Sequence, residues 1–484
     1  MLPSRLKASY EGAGVGRRAL AWNAPDSGPT SASLNGLRAL RNRSRAATRN
    51  DPYGFAAIDR LVSNTIGTGI TPKARHKDGA IRSALQELWE DWTEEADAAG
   101  HTDFYGLQAL ICRSMYESGE CFVRLRARRM EDGLAVPLQL QVLEPEFVPH
   151  DKNEQRGGNV IRAGIEFNAI GQCVAYWMYR SHPGDGALPG AGYNDLVRVP
   201  ADQVLHIFEP LRTGQLRGVP VLAPVLTRLK SLDEFDDAVL FRQEVANLFA
   251  GFIREPAPQD PEVDPVTGQV LVKDIDGFTP MVSLAPGSMQ KLLPGEEVEF
   301  SDPPDAGNNY TDFMRQQLLG AASGVGLPFE LLTGDLREVN DRVIRVVLNE
   351  FRRRIEQRQF GLFVPQLCKP TRNAWMDMAV LSGAIHLPDY VRQRRAYQRT
   401  RWVPQGWAYI HPVQDVQAKR MEVLCGFTSR SEVALRQGYD AEMIDAETAA
   451  DNARADRLGL AYDCDARQKK TAKPAKRNDK EEKA

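Results

Sequence analysis

The sequence is poor in the residues that hold metals and form disulfides. Its six cysteines, Cys112, Cys121, Cys173, Cys368, Cys425 and Cys464, are scattered with no C-x-x-C pair, which excludes the common zinc and dithiol motifs. They read as reduced core or surface thiols. The seven histidines (His76, His101, His150, His182, His206, His386 and His411) lie far apart, and no H-x-x-x-H puts two imidazoles on one helical face. No G-x-x-x-x-G-K-S/T loop is present to cradle nucleotide phosphates, and no G-x-S-x-G elbow to carry an acyl nucleophile. Gly12, Gly14 and Gly16 form a glycine-rich run, but it follows no strand and opens no convincing helix. No catalytic, metal or cofactor site is therefore predicted.

Long apolar runs are lacking too. No stretch approaches the roughly 20 apolar residues needed to cross a bilayer, and the first 18 residues lack the apolar core of a signal peptide. This predicts a chain that stays in the cytoplasm where it is made and has no membrane partner. Net charge is nearly absent: 61 basic and 64 acidic residues leave -3, unlike a protein that grips nucleic acid along much of its surface. The balance hides basic ends. Arg38, Arg41, Arg43, Arg45 and Arg49 lie among the first 50 residues with almost no acid, and the last 17 are Lys-rich. Such ends read as solvated tails, with nucleic-acid arms as the alternative.

What is present is an ordinary folding composition, 42% hydrophobic and 26% charged over 484 residues, too long for a single core. Residues 1–50 read as a basic arm. Helical patterns follow from Asp51-Pro52, with Phe55, Ile58, Leu61 and Val62 on one face, then over Ile81–Ala98 and Asp103–Ser118. Alternating segments at Cys121–Ala127, Leu138–Leu143 and Val174–Tyr179 predict a half-buried sheet. Residues 51–217 thus read as an α+β domain.

Gly218 opens the longest helical pattern, with Leu222, Leu229, Phe235, Val239, Leu248 and Phe252 recurring at spacings of mainly three and four. About 35 residues at 1.5 Å rise would reach roughly 50 Å, the length of a strut. A strand-rich lobe is expected over 255–307 and a returning helix over 308–326, nearly uncharged apart from Asp312 and Arg315. A polar loop follows within 327–342. The next helix starts near Asn340 and carries Ile344, Val347, Leu348, Phe351 and Ile355 on one face. Arg345, Arg352, Arg353 and Arg354 lie off that face and read as a salt-bridged or solvated surface rather than a DNA site. Residues 343–425 complete this helical region, 426–467 form a terminal helical part, and 468–484 read as a disordered charged tail.

Carboxylates cluster at Glu94-Glu95, Asp233-Glu234 and Asp236-Asp237, and a two-metal nuclease needs such groups. Consecutive carboxylates on a helix point in different directions, so a solvated or inter-subunit role is favoured.

Three blocks carry a resemblance. Arg38, Arg41, Arg43 and Arg45 lead to Arg49-Asn50-Asp51-Pro52 and then to Asn64, Ile66, Gly67, Gly69 and Ile70. Gly287, Gln290, Leu293, Gly295 and Glu296 precede Leu327, Pro328, Glu330, Leu331, Thr333, Gly334 and Asp335. Asn349, Glu350, Phe351, Arg352, Arg353 and Arg354 precede Trp407, Tyr409, His411 and Pro412. In this order the blocks resemble the lambda-type portal proteins of tailed bacteriophages. The chain departs from many members at Asn340-Asp341-Arg342-Val343, where a run of Ser, Ser, Ala and Arg is usual.

The resemblance implies a ring, typically of twelve subunits, at one capsid vertex, with residues 51–217 as wing and 218–254 as stem helix. It makes 255–307 the clip, 308–326 the returning stem helix, 327–342 the tunnel loop region, 343–425 the wing helix and C-terminal wing, and 426–467 a crown-like region. It further implies double-stranded DNA passing non-specifically through the channel, and the terminase large subunit, major capsid protein and head–tail connector proteins as partners. Location would be the virion, with assembly in the host cytoplasm. On this reading Asp335, Arg337, Glu338, Asn340, Asp341, Arg342 and Arg315 face the channel, and Phe235, Val239, Leu248 and Phe252 form the subunit seam. A channel must touch phosphates without holding them, because several simultaneous Lys or Arg contacts bind DNA very tightly. The mixed charge of the loop suits sliding. Without the resemblance, that loop reads as an ordinary surface connection. The alternative function is a nuclease or ATPase of the packaging machinery.

Overall fold

The computed structural model describes residues 24–185, 196–247, 251–254, 266–267, 297–300, 310–337, 339–407, 411–462, 465 and 467. Two compact units emerge, Met1–Pro224 with Gly324–Ala484, and Val225–Ser323. The architecture is α+β, as the pattern of helices followed by strands predicts.

The first unit corrects the reading of residues 1–50 as an arm from residue 29 onward. Two helices, α1 (Pro29–Leu34) and α2 (Leu37–Asn50), occupy this stretch. The inward stripe of α2 is Leu37, Arg41, Ser44 and Thr48, a helical spacing that is mostly polar and so invisible to a hydrophobicity pattern. Residues 1–23 lie outside the described residues. Helix α3 (Pro52–Thr65) begins where Asp51 accepts the N–H groups of Tyr53 and Gly54, both at 2.8 Å, the cap expected before a Pro at the first helical position. Ile58, Leu61 and Val62 are buried, whereas Phe55 stays half-exposed beneath the Arg113 guanidinium. Gly54 lets α3 cross α2 closely, since a Cβ there would meet the Ala47 carbonyl oxygen at 2.8 Å.

Strand β1 (Thr71–Ala74) leads to α4 (Gly79–Glu95) and α5 (Phe104–Ser118), capped by Asp78 and Asp103. Trp89 and Trp92 of α4 pack with Phe104 and with Trp375 from the C-terminal half. The Arg372 guanidinium lies 4.5 Å from the Trp89 ring and 4.1 Å from that of Trp375, and burial pushes its pKa down to about 9.

Strands β2 (Glu120–Ala127) and β3 (Leu138–Leu143) pair antiparallel. A five-stranded meander follows: β4 (Glu154–Arg156), β5 (Asn159–Arg162), β6 (Ile165–Phe167), β7 (Cys173–Tyr179) and β8 (Leu196–Pro200). Strand β9 (Val204–Phe208) then returns to β2, giving the order β3-β2-β9. Phe122, Val148, Ile165, Tyr176, Met178 and Val199 form a core joining the two sheets.

The second unit corrects the expected strut. Helix α6 runs over Leu226–Asn247, 22 residues rather than about 35, and so about 33 Å long. Pro220 and Pro224 lack the amide donor that earlier turns would require. At the far end, β10 (Gly251–Arg254) pairs antiparallel with β11 (Glu297–Phe300). Apart from β11 and residues 266–267, the lobe expected over 255–307 lies outside the described residues, as do Leu248 and residues 287–296. The returning helix α7 (Tyr310–Val325) matches its predicted span closely. Phe235 of α6 meets Tyr310 and Phe313 of α7, while Arg228 reaches the Gln317 carbonyl. The register falls on α7 as it rises on α6, so the pair is antiparallel.

Chain then returns to the first unit through α8 (Phe329–Thr333) and α9 (Asp341–Arg358). Helix α9 continues through a π-helical stretch, Gln359–Cys368, into α10 (Lys369–Leu381). Pro365 inside that stretch cannot donate a hydrogen bond, which a local widening of the helix accommodates. After α11 (Tyr390–Tyr397), strand β12 (Thr400–Val403) pairs with β1. The end of the chain is α12 (Pro412–Leu424), α13 (Arg430–Arg436) and α14 (Ala441–Leu458). Ion pairs Arg401–Glu432, Lys73–Asp440 and Arg82–Glu442, at 2.7–3.2 Å, tie these last two helices to the body. The charged tail 468–484 lies outside the described residues.

Candidate functional site

Only part of the predicted channel loop is a loop. Helix α8 closes at Gly334, whose φ of +72° needs no Cβ. Asp335 then accepts the Arg337 backbone N–H at 3.0 Å and its guanidinium at 2.8 and 2.9 Å. Charge within the loop is thus paired locally. Asn340 caps α9 by accepting the Arg342 N–H at 3.0 Å. Asp341 and Arg342, which the channel reading counts in the loop, stand in the first turn of α9, in keeping with the helix expected to begin near Asn340. Glu338 lies outside the described residues. Asp341 also meets His411 Nε2 at 2.8 Å, joining two segments that sequence reasoning treated separately. Arg315 is exposed on α7, in the second unit.

The arginine run of α9 does not form one patch. Arg353 pairs with Glu350 at 3.2 Å, Arg352 lies over the Trp407 ring at 5.2 Å, and Arg354 folds against Gly326. Arg358 is buried, reaching Glu209 at 3.1 Å and the Tyr116 ring. Arg353 fits the salt-bridged reading, whereas Arg352 and Arg354 pack on a ring and a glycine, and Arg345 Nε is buried without a hydrogen-bond partner.

Of the predicted seam residues, Phe235 and Val239 lie on α6. Phe235 is 38% exposed with one side stacked on α7, and Val239 is half-buried. Phe252 belongs to strand β10, opposite Glu299, and not to a helix. Sequence reasoning missed Leu240 and Phe241, which are 59% and 66% exposed. The signal was available: apolar residues go round α6 without forming one stripe, the mark of a helix that needs neighbours on several sides.

The best-built polar cluster was not anticipated. Glu120 at the start of β2 is buried and accepts from Arg217 at 2.7 Å, His206 at 2.8 Å and the Gly218 N–H at 3.0 Å, as well as from Arg41 of α2. Arg217 spends its remaining donors on the carbonyls of Pro145, Val148 and Ala163. Burial alone would raise the Glu120 pKa, but Arg217 and Arg41 overcome it and hold the carboxyl far below its ordinary range. Burial likewise depresses His206, opposed by Glu120. The cluster fixes the chain at Arg217-Gly218, a few residues before the second unit begins, and a Cβ on Gly218 would collide with the Gly119 carbonyl oxygen.

Metal-capable side chains converge in one place among the described residues, at Glu144, Glu146 and His182. Arg45 already bridges the two carboxylates, at 2.9 Å to Glu146 and 3.3 Å to Glu144, and its positive charge stands where a cation would have to sit. Cys112, Cys121 and Cys368 are free and buried, and burial pushes the Cys121 thiol up to about 12. Cys425 is exposed, Cys173 half-buried, and Cys464 lies outside the described residues. No described helix is long and apolar enough to cross a membrane.

Comparison with known proteins places the chain. It is 25% identical over 443 residues to a probable portal protein of Halomonas phage phiHAP-1, covering 87% of this chain and 81% of that protein. It is 22% identical to the portal protein of Escherichia phage N15, with 94% and 92% covered, and 21% identical to portal protein B of Escherichia phage lambda, with 92% and 90% covered. Among solved structures, a chain in the neck of a native gene transfer agent particle, computed with C12 symmetry, aligns over 88% of this chain and 99% of its own at 16% identity and a TM-score of 0.44. Residues 15–359 match the family described as phage portal protein, lambda family, and the chain belongs to that family.

Proposed function

We propose that copies of this chain close into a ring at one vertex of a phage capsid and act as the channel through which double-stranded DNA is packaged and ejected, without covalent chemistry on it. In this reading residues 51–217 are the wing, the antiparallel α6–α7 pair is the stem, residues 255–307 are the clip and the last helices are crown-like. Membership of the family supports the role. The exposed Leu240 and Phe241, turned away from the Phe235 side of α6, carry the assembly part of it. Apolar side chains on an isolated helix pair are costly in water, and a heterologous contact whose rotation closes would cover them in every subunit.

The terminase large subunit and the head–tail connector proteins would dock on the clip and lower stem, the major capsid protein would surround the ring, and the assembled ring would reside in the virion. The segment from Thr333 to Arg342 would line the channel. Its internal Asp335–Arg337 pair offers DNA little net charge, which favours passage over grip. Imaging the purified protein in negative stain tests the reading through particle shape.

A further inference from the structure

The even-numbered face of β2 changes character along its length. Glu120 and Phe122 enter the core between the two sheets, but Arg124 and Arg126 continue the same face outward, about 7 Å apart as alternate strand residues. There the sheets part into a cleft of about 310 Å³, lined by Arg124, Arg126, Gln141, Phe147, Met178 and Arg180 among others, with no carboxylate. The arginines are held, where they are held, by neutral amides. Arg126 donates twice to the Gln141 side-chain oxygen, at 2.8 and 2.6 Å, and Arg128 donates to Gln139 at 2.7 Å. Arg124 Nε is buried without a hydrogen-bond partner, which in a folded protein calls for a ligand or a cost. Burial, and then the repulsion of Arg124 and Arg128, lowers the Arg126 pKa. Asp202 and Asp377 border a neighbouring cleft that Arg124 and Arg126 also line, where Asp377 is paired with Arg394, and Glu144 is engaged by Arg45.

We propose that this cleft binds an acidic peptide segment of a partner protein, its carboxylates reaching Arg124 and Arg180 and an apolar side chain lying against Phe147 and Met178. Guanidinium forks match carboxylates in two-point geometry, and the mixed wall of cations and apolar side chains suits a peptide that carries both. Duplex DNA fits less well. Its phosphates are met by exposed side chains spread over a long tract, whereas this cleft is small, half apolar, and keeps part of Arg124 below the surface. The chain's own tail, Lys-rich over residues 468–484, has the wrong sign to fill it.

The test is fluorescence anisotropy on the full chain at low salt, with a labelled peptide of alternating aspartate and leucine, a lysine–leucine control and a short labelled duplex. The expected result is saturable binding of the acidic peptide alone, weakened about tenfold by Arg124→Gln and by Arg180→Gln, as loss of one charge-assisted contact predicts. Arg180→Lys should lose less. Neither arginine has a hydrogen-bond or ion-pair partner among the described residues, so melting temperatures should not fall. Three results would overturn the proposal: acidic and basic peptides binding alike, acidic-peptide affinity unchanged in both glutamine variants, or the duplex binding more tightly in a manner those variants abolish.

Discussion

The Glu120 carboxylate receives the Arg217 guanidinium at 2.7 Å where neither side chain reaches solvent. A buried pair of this kind contributes modestly as a pair but is expensive to break, since the remaining charge is stranded. Glu120→Ala leaves both Arg217 and Arg41 uncompensated, whereas Arg217→Ala leaves Glu120 with Arg41, His206 and the Gly218 N–H but strips the donor from the carbonyls of Pro145, Val148 and Ala163. Each is expected to cost about 3–5 kcal/mol, read as a lowered denaturant midpoint. Loss of under about 1 kcal/mol would mean that the cluster behaves as a surface contact.

The same cluster sets the response to acid. Both Glu120 and His206 have folded pKa values below their ordinary ones, so the unfolded chain takes up protons first and stability falls as pH falls. The His206 contribution is full above its ordinary 6.5 and declines below it, while that of Glu120 is full above 4.5 and declines toward its much lower folded value. Melting temperature should be flat from about pH 7 to 8, below the range where the buried Cys121 thiol would matter, and drop on acidification, with a shallower first drop in His206→Phe. A melting temperature that rises between pH 7 and pH 5 would contradict the assignment.

Assembly should depend on the exposed face of α6. Leu240→Asp and Phe241→Asp leave the α6–α7 contact through Phe235 and Phe313 intact, so the subunit should still fold. Sedimentation velocity should show its large species replaced by one of subunit mass. Phe235→Ala, by contrast, removes ring contacts with Tyr310 and Phe313 and is expected to cost about 1 kcal/mol of helix-pair stability.

Charge reversal in the loop separates channel from interface. Arg337 is exposed and Asp335 half-buried, so loss of their pair costs about 1 kcal/mol, and Arg337→Glu with Arg342→Glu should leave assembly untouched. DNA packaging or retention in reconstituted heads should fall. Loss of rings in that variant would move the loop from channel to interface.

Much of this architecture was legible because hydrophobic spacing dictated it. The buried spacing of Leu85, Trp89 and Trp92, the alternation of β2 and β3, and the uncharged run of α7 all announce their elements. Where burial is polar, the pattern is silent. Arg41 stands in a stretch rich in basic residues, and only the distant Glu120, 79 positions on, turns that stretch into a core helix. The strut was overread because apolar residues continue at helical spacing through Pro220 and Pro224 and on into β10, where Phe252 pairs as a strand residue. For the loop, Asn340 carries the cap signal that places Asp341 and Arg342 in a helix. Arg124 and Arg180 could not be linked from the sequence, since only the approach of the two sheets puts them in one cleft.

Negative-stain imaging of the purified chain tests the central claim most directly. The account predicts closed rings with a central hole wide enough for duplex DNA. Monomers that cleave DNA in a Mg²⁺-dependent manner would contradict it.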